Sequence, residues 1–228
     1  MALFPLLTCV TIVTMRIPDR YQVKKIPGKV GKEFIREHHY SKSCHNGPMT
    51  WGLFDGEDMI GVIAFATPSS ENVRASVFGP EYKDCVTELH RLVIFDDTPT
   101  NTESYFISQA LKMLHEYRPH IRAVLSFADS TEGHSGVIYQ AMSAWFCGTT
   151  GKATFYRDGE GRLRHPRQNG VNISKDMAAE RGWVPERRGA KNRYVMFIGS
   201  PTQKRWAKRN CLLSPQPYPH HGGDIASS

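Results

Sequence analysis

No two cysteines in this sequence are spaced C-x-x-C, and no apolar stretch is long enough to span a bilayer. The five cysteines (Cys9, Cys44, Cys85, Cys147 and Cys211) are scattered and odd in number. That pattern argues against a disulfide scaffold or a zinc ribbon and fits a reducing cytosol. The apolar run Ala2 to Met15 is short, is broken by Pro5 and has no basic segment ahead of it, which argues against a secretory signal. Two readings of it stay open: a buried first strand, or an extension ahead of a start at Met15. Internal repeats and long low-complexity segments are absent as well.

What is present is a chain of 228 residues with 40% apolar content. That is enough to bury one substantial core and too apolar for a disordered protein. The formal charge is +7 and the pI about 9.2, so the expected partner is acidic, with nucleic acid first. The excess is uneven. Residues 152 to 209 hold fifteen Lys and Arg against five Asp and Glu, a net +10, and the rest of the chain sums to −3.

The stretch Glu88 to Ala141 organises the reading. An apolar strand (Leu89 to Phe95) is followed by a polar loop, an amphipathic helix from about Glu103 to Tyr117 and a second strand (Ala123 to Phe127). Ala128-Asp129-Ser130 and a loop with Gly133 and Gly136 then lead into another helix. This spacing predicts a βαβα unit with two parallel neighbouring strands, and ligands of such units gather just past the strand ends. Upstream, residues 16 to 31 read as a strand and a turn before a helix from Lys32 to His39. TWGLFDGEDMIGVIAFATP reads as a hairpin turning at Asp55-Gly56, two residues suited to positive φ. Downstream, Lys152 to His165 reads as a second hairpin turning at Asp158–Gly161, and Ser174 as the cap of a short helix. Arg193 to Ile198 reads as a final strand, with residues 201–228 as a flexible tail.

Several residues stand out chemically. Asp129 ends a buried strand, where a carboxylate must be paired, metal-bound or functional, or else cap the next helix together with Ser130. His39 and Tyr40 close the first helix and offer acid/base or ligand atoms, although a histidine also suits the negative end of a helix. His38, Cys44 and His45 match no strong metal spacing. By the two-residue period Arg91 should share a strand face with Leu89 and Val93, and Glu88 and His90 the opposite one. Tyr139 lies mid-helix, a common place for a core aromatic. Arg162, Arg164, Arg167, Arg187, Arg188, Lys191 and Arg193, interleaved with Tyr156, Trp183 and Tyr194, suit phosphate contacts and base stacking.

The order of elements resembles the GNAT acyltransferase fold: an α/β domain over residues 16–200 with a central mixed, mostly antiparallel sheet and a parallel βαβ pair at the cleft. The glycine-rich pyrophosphate loop of that fold is replaced here by DDTPTNTESYF. The helix amides there, with the hydroxyls of Thr100, Thr102 and Ser104, are the groups expected to hold a cofactor phosphate. The motifs EHHYS at 37 to 41, ELHRLVI at 88 to 94, TNTESYFI at 100 to 107, FADSTEGHSGVIYQA at 127 to 141 and KNRYVMF at 191 to 197 resemble, in order, the phage Mom family of DNA adenine-modification proteins.

That resemblance implies conversion of adenine N6 in double-stranded phage DNA to a carbamoylmethyl form, which protects the DNA from host restriction. The adenine must then be extracted from the stack. It further implies His39, Tyr40, Asp129 and Tyr139 as catalytic residues, the last as an acid, and Arg91 as a cofactor contact. It also implies an iron ion held by His39, Tyr40 and Asp129, and acetyl-CoA or another acyl donor. The implied setting is the bacterial host cytoplasm, with no membrane partner and room for a homodimer. Two other classes stay open: an acyl-CoA-dependent transferase acting on a small amine or protein, and a non-catalytic DNA-binding protein.

Overall fold

Seven strands in one sheet carry the core of this protein, seen in a computed structural model that describes residues 16–68, 70–129, 135–168 and 171–219. A single turn, α1 (Ile17–Arg20), leads into β1 (Tyr21–Ile26) and α2 (Gly28–His38). The expected hairpin follows as β2 (Met49–Asp55) and β3 (Asp58–Ala66). After α3 (Glu71–Phe78) come β4 (Val86–Ile94), α4 (Thr102–Tyr117), β5 (Ala123–Asp129) and the short α5 (Val137–Ala141), the expected βαβα unit. The rest comprises β6 (Trp145–Thr149), β7 (Ala153–Arg157), β8 (Leu163–Arg164), β9 (Arg167–Gln168) and β10 (Val171–Asn172). The chain then forms α6 (Lys175–Glu180), β11 (Val184–Arg188), β12 (Lys191–Phe197) and α7 (Pro201–Asn210).

The main sheet runs β1-β2-β3-β4-β5-β12-β6. Every neighbouring pair is antiparallel except β4 and β5, which are parallel and are joined through α4, the long crossover that a parallel pair requires. Alternation along the strands separates two packed faces. Ile63, Phe65, Val124, Tyr194 and Met196 share one cluster with Phe106, Ile107, Ala110, Leu111 and Leu114, the buried stripe of α4. The intervening Ala123, Leu125 and Val195 pack with Val77 and Phe78 of α3 and Ala207 of α7, and Val62 and Ala64 pack with Phe34 and Ile35 of α2. A smaller unit stands beside this sheet. Strands β11-β7-β8 form a three-stranded sheet, and Tyr156, Ile173 and Ala178 with Met177 and Trp183 form its own small core.

Four expectations need correction. Residues from 201 onward do not begin as a loose tail: Ser200 and Gln203 form a reciprocal capping box, and buried Ala207 pins α7 to the sheet. In the first hairpin only Gly56 takes positive φ (61°), because Asp55 still belongs to the β2 ladder opposite Asp58. The first helix starts at Gly28 and stops at His38, and His39 is already extended. Finally, Arg91 does not share a face with Leu89. Leu89 pairs with Phe65 and Arg91 with Ala64, so His90 is an extra residue, a β-bulge that shifts the alternation by one. Leu89 joins the α4 face with Leu92, whereas Val93 joins the α2 face, and Arg91 lies two residues from Val93. The N-terminal extension 1–15, Ser130, Gly133 and the tail from residue 220 lie outside the described residues. Among the described residues no helix is long and apolar enough to cross a membrane.

Candidate active site

Strands β4 and β5 pair only from Val86–Glu88 to Ala123–Leu125. Beyond that point the bulge bends β4, while β12 holds β5 through to Asp129. Extending the parallel register brings Asp129 level with the Leu92–Val93 stretch, so the expected site residues of both strands stand at one end of the sheet.

Arg91 is the hub on β4. Its guanidinium donates to the Ser43 carbonyl (Nε, 2.9 Å), the Ser43 hydroxyl (3.1 Å) and the His90 carbonyl (2.7 Å). Burial lowers its pKa from the ordinary value, while Tyr40, Cys44, Glu88 and Tyr139 are near enough to oppose that shift. These bonds fold the loop after α2 over the bulge. His45 from that loop lies on the His90 ring at 3.9 Å, and His90 Nδ1 is 3.5 Å from the Glu88 carboxylate. Burial first, and then His90, push the His45 imidazole below its usual pKa.

His39 is 8% exposed. Its Nδ1 accepts the Ser41 backbone N–H (3.1 Å) and lies 2.9 Å from the Ser41 hydroxyl, which in a neutral ring leaves the proton on Nε2. Its ring packs on that of Tyr40 at 4.3 Å, and Tyr40 itself is exposed. Tyr139, from α5, packs against Tyr194. Burial pushes its phenol up to about 12, with the Ser126 hydroxyl opposing and Tyr40, Glu88 and Glu103 adding to the rise. Tyr40, Arg91 and Tyr139 thus lie close enough to act on one another electrostatically. The fold adds Ser43 and Ser126, and it brings together His45 and His90, which the sequence offers only separately. His45 and His90 meet only through a loop crossing 45 residues of sequence, so no local pattern marks them.

Asp129 is 5% exposed. It is paired, as a carboxylate at a buried strand end must be: Arg188 donates to its Oδ2 at 3.1 Å, and Lys191 Nζ stands 3.2 Å from the same atom. Behind Arg188, Glu186 reaches it at 3.5 Å and is itself bonded to Arg157 at 2.6 Å. An alternating row of charges thus ties β5 to the three-stranded sheet. Arg188 and Lys191, expected as DNA contacts, serve Asp129.

Other basic residues are likewise committed. Arg162 and Arg164 both bind Asp158, at 3.1 and 2.7 Å, and Arg162 also pairs with Glu160 at 2.7 Å. Arg193 donates to the Cys147 carbonyl at 2.9 Å, because its place on β12 faces β6 rather than solvent. Arg187 is exposed, and the Arg167 side chain lies outside the described residues.

The cofactor groups fit less well than expected. Thr102 is buried and its hydroxyl donates to the Pro99 carbonyl at 2.7 Å, so that proton is not offered to a phosphate. Ser104 is half-buried in the first turn of α4. The donor set expected for iron does not fit this arrangement. His39 Nδ1 is taken by Ser41 and Asp129 by two cations. Among the described residues no three His, Cys, Asp or Glu side chains converge as metal ligands.

The chain has relatives among known proteins. Among solved structures it is similar to the spermidine/spermine N-acetyltransferase SpeG from Vibrio cholerae. That match has TM-score 0.47 and 9% identity and covers 85% of this chain and 99% of the other. It is also similar to Arabidopsis thaliana NAA60 in complex with acetyl-CoA, with TM-score 0.47 and 12% identity over 79% of this chain and 99% of that one. By sequence it is 31% identical over 207 residues to the methylcarbamoylase Mom of Escherichia phage Mu, covering 87% of this chain and 83% of that protein. The model of the Mom protein family matches residues 20–220. A likeness of that extent shows that this chain belongs to the Mom protein family.

Proposed function

We propose that this protein is a DNA-modifying transferase of phage DNA, which it converts at adenine N6 to the carbamoylmethyl form in the host cytoplasm. The observation that carries the reading is its 31% identity to the phage Mu methylcarbamoylase over 87% of the chain. The site at the open end of β4 and β5 supports it with chemistry suited to a neutral amine.

The adenine amino group is a weak nucleophile, because its lone pair is delocalised into the ring. Transfer forms an N6–C bond and breaks the bond between that carbon and the leaving group of the activated donor; the N6 proton, made acidic once the new bond forms, passes to the Asp129 carboxylate and on to water. Asp129, held by Arg188 and Lys191, accepts a hydrogen bond from N6 and fixes its direction of attack. Tyr139, still protonated far above neutral pH, is the acid for the departing group. His39, Tyr40 and Arg91 form the wall opposite, against which an extruded base stacks and is held. Nucleoside mass spectrometry of DNA from cells expressing the protein tests the reading.

A further inference from the structure

Helix α7 carries Lys204, Arg205, Lys208 and Arg209 and no acidic residue. Gln203, Trp206 and Ala207 face the body of the protein: Ala207 is fully buried, and Trp206 lies on Phe78 and Tyr82. The four cations occupy the opposite face, and all are exposed. Lys204/Lys208 and Arg205/Arg209 are like-charge pairs one turn apart, an arrangement that weakens a helix. The helix dipole accounts for cations in the last turn, Lys208 and Arg209, but not for Lys204 and Arg205. Among the described residues none of the four is ion-paired, whereas Arg157, Arg162, Arg164, Arg188 and Lys191 all are. Lys112 of α4 adds a fifth cation, and Glu116 a single carboxylate, to the groove that Lys204 and Lys208 line. Uncompensated positive charge therefore concentrates on α7, not on the strands around residue 160.

We infer that the exposed face of α7 is a phosphate-backbone contact for duplex DNA, separate from the residues at the end of β4 and β5. The duplex is chosen on charge complementarity and because it is the substrate under the function proposed above, on which this inference rests. A regular polyanion relieves the repulsion between the two like-charge pairs. The contact carries no base information, so it raises affinity without selecting sequence.

The test uses the full chain with Lys204, Arg205, Lys208 and Arg209 all changed to Gln, a helix-compatible change at exposed positions, with Lys208→Glu as a milder second variant. Binding to a duplex of arbitrary sequence is measured against salt. Each lost phosphate contact lowers the slope of log affinity against log salt by about 0.9, so the quadruple variant should lower it by about two to four. Arg162→Gln with Arg164→Gln should leave the slope nearly unchanged. An unchanged slope in a folded quadruple variant overturns the inference. So does tighter α7-dependent binding to single-stranded RNA than to duplex, or a loss of self-association with no change in DNA binding. If the parent binds duplex through α7 yet leaves adenine unmodified, the proposed reaction fails and the contact stands.

Discussion

Single residues at the site act through what holds them. Tyr139 illustrates the point, since a mid-helix tyrosine reads from sequence as core, and its phenol becomes informative only once burial has raised it to about 12. The neutral form is favoured on folding, so this stability is fully present below the unfolded value near 10 and is lost as pH rises toward 12. An ultraviolet titration of the folded protein should show one phenol ionising near 12 that is missing from Tyr139→Phe. Gly136 makes a sharper steric case. Its φ is +88°, and a Cβ there would stand 2.4 Å from the Tyr194 ring, which donates through its hydroxyl to the Ser135 carbonyl at 2.7 Å. Gly136→Ala should lower the unfolding free energy in urea by at least about 2 kcal/mol, through left-handed strain together with overpacking. Asp129 was legible because a carboxylate at the end of an apolar strand is expensive unless paired. For Thr102 and Arg193 the sequence shows a hydroxyl or a guanidinium but not the carbonyl to which each donates, Pro99 or Cys147.

Elements were legible where turn chemistry, helical spacing or apolar runs marked them. The hairpin β2–β3 follows from its turn at Gly56, the α4 stripe from helical spacing, and the parallel pair β4–β5 from two apolar runs flanking that helix. The bulge at His90 was not, because a single extra residue in a strand changes the facing of Arg91 without leaving any compositional mark. The hairpin β7–β8 shows the opposite case, in which turn chemistry was readable and its electrostatics were not. Burial alone would raise the Asp158 carboxyl, but the amide and guanidinium of Arg162, the Arg164 guanidinium and the Glu160 amide bring it far below the usual carboxylate range. Its stabilising effect is present above the unfolded value of about 3.9 and is lost only as pH falls through the lower folded value. A carbon-13 titration of this carboxyl should therefore show a midpoint well below that of a free aspartate. A midpoint at or above the ordinary value would contradict the four-donor turn.

At the scale of the whole molecule, charge pairing rearranges the map that composition suggests. The basic excess in residues 152–209 is real, but its inner part is spent on Asp129, Asp158 and Glu186, leaving α7 as the exposed cationic face. Sequence sums charges along the chain, whereas the fold decides which of them meet. The row Asp129–Arg188–Glu186–Arg157 links the end of the main sheet to the smaller one and fixes the Asp129 carboxylate. The most direct measurement is mass spectrometry of nucleosides from plasmid DNA isolated from cells expressing the protein or its Asp129→Ala variant. The account predicts a deoxyadenosine species heavier by one carbamoylmethyl group with the parent, and its loss with a soluble, folded variant. An unmodified deoxyadenosine profile with soluble, folded parent protein would contradict it.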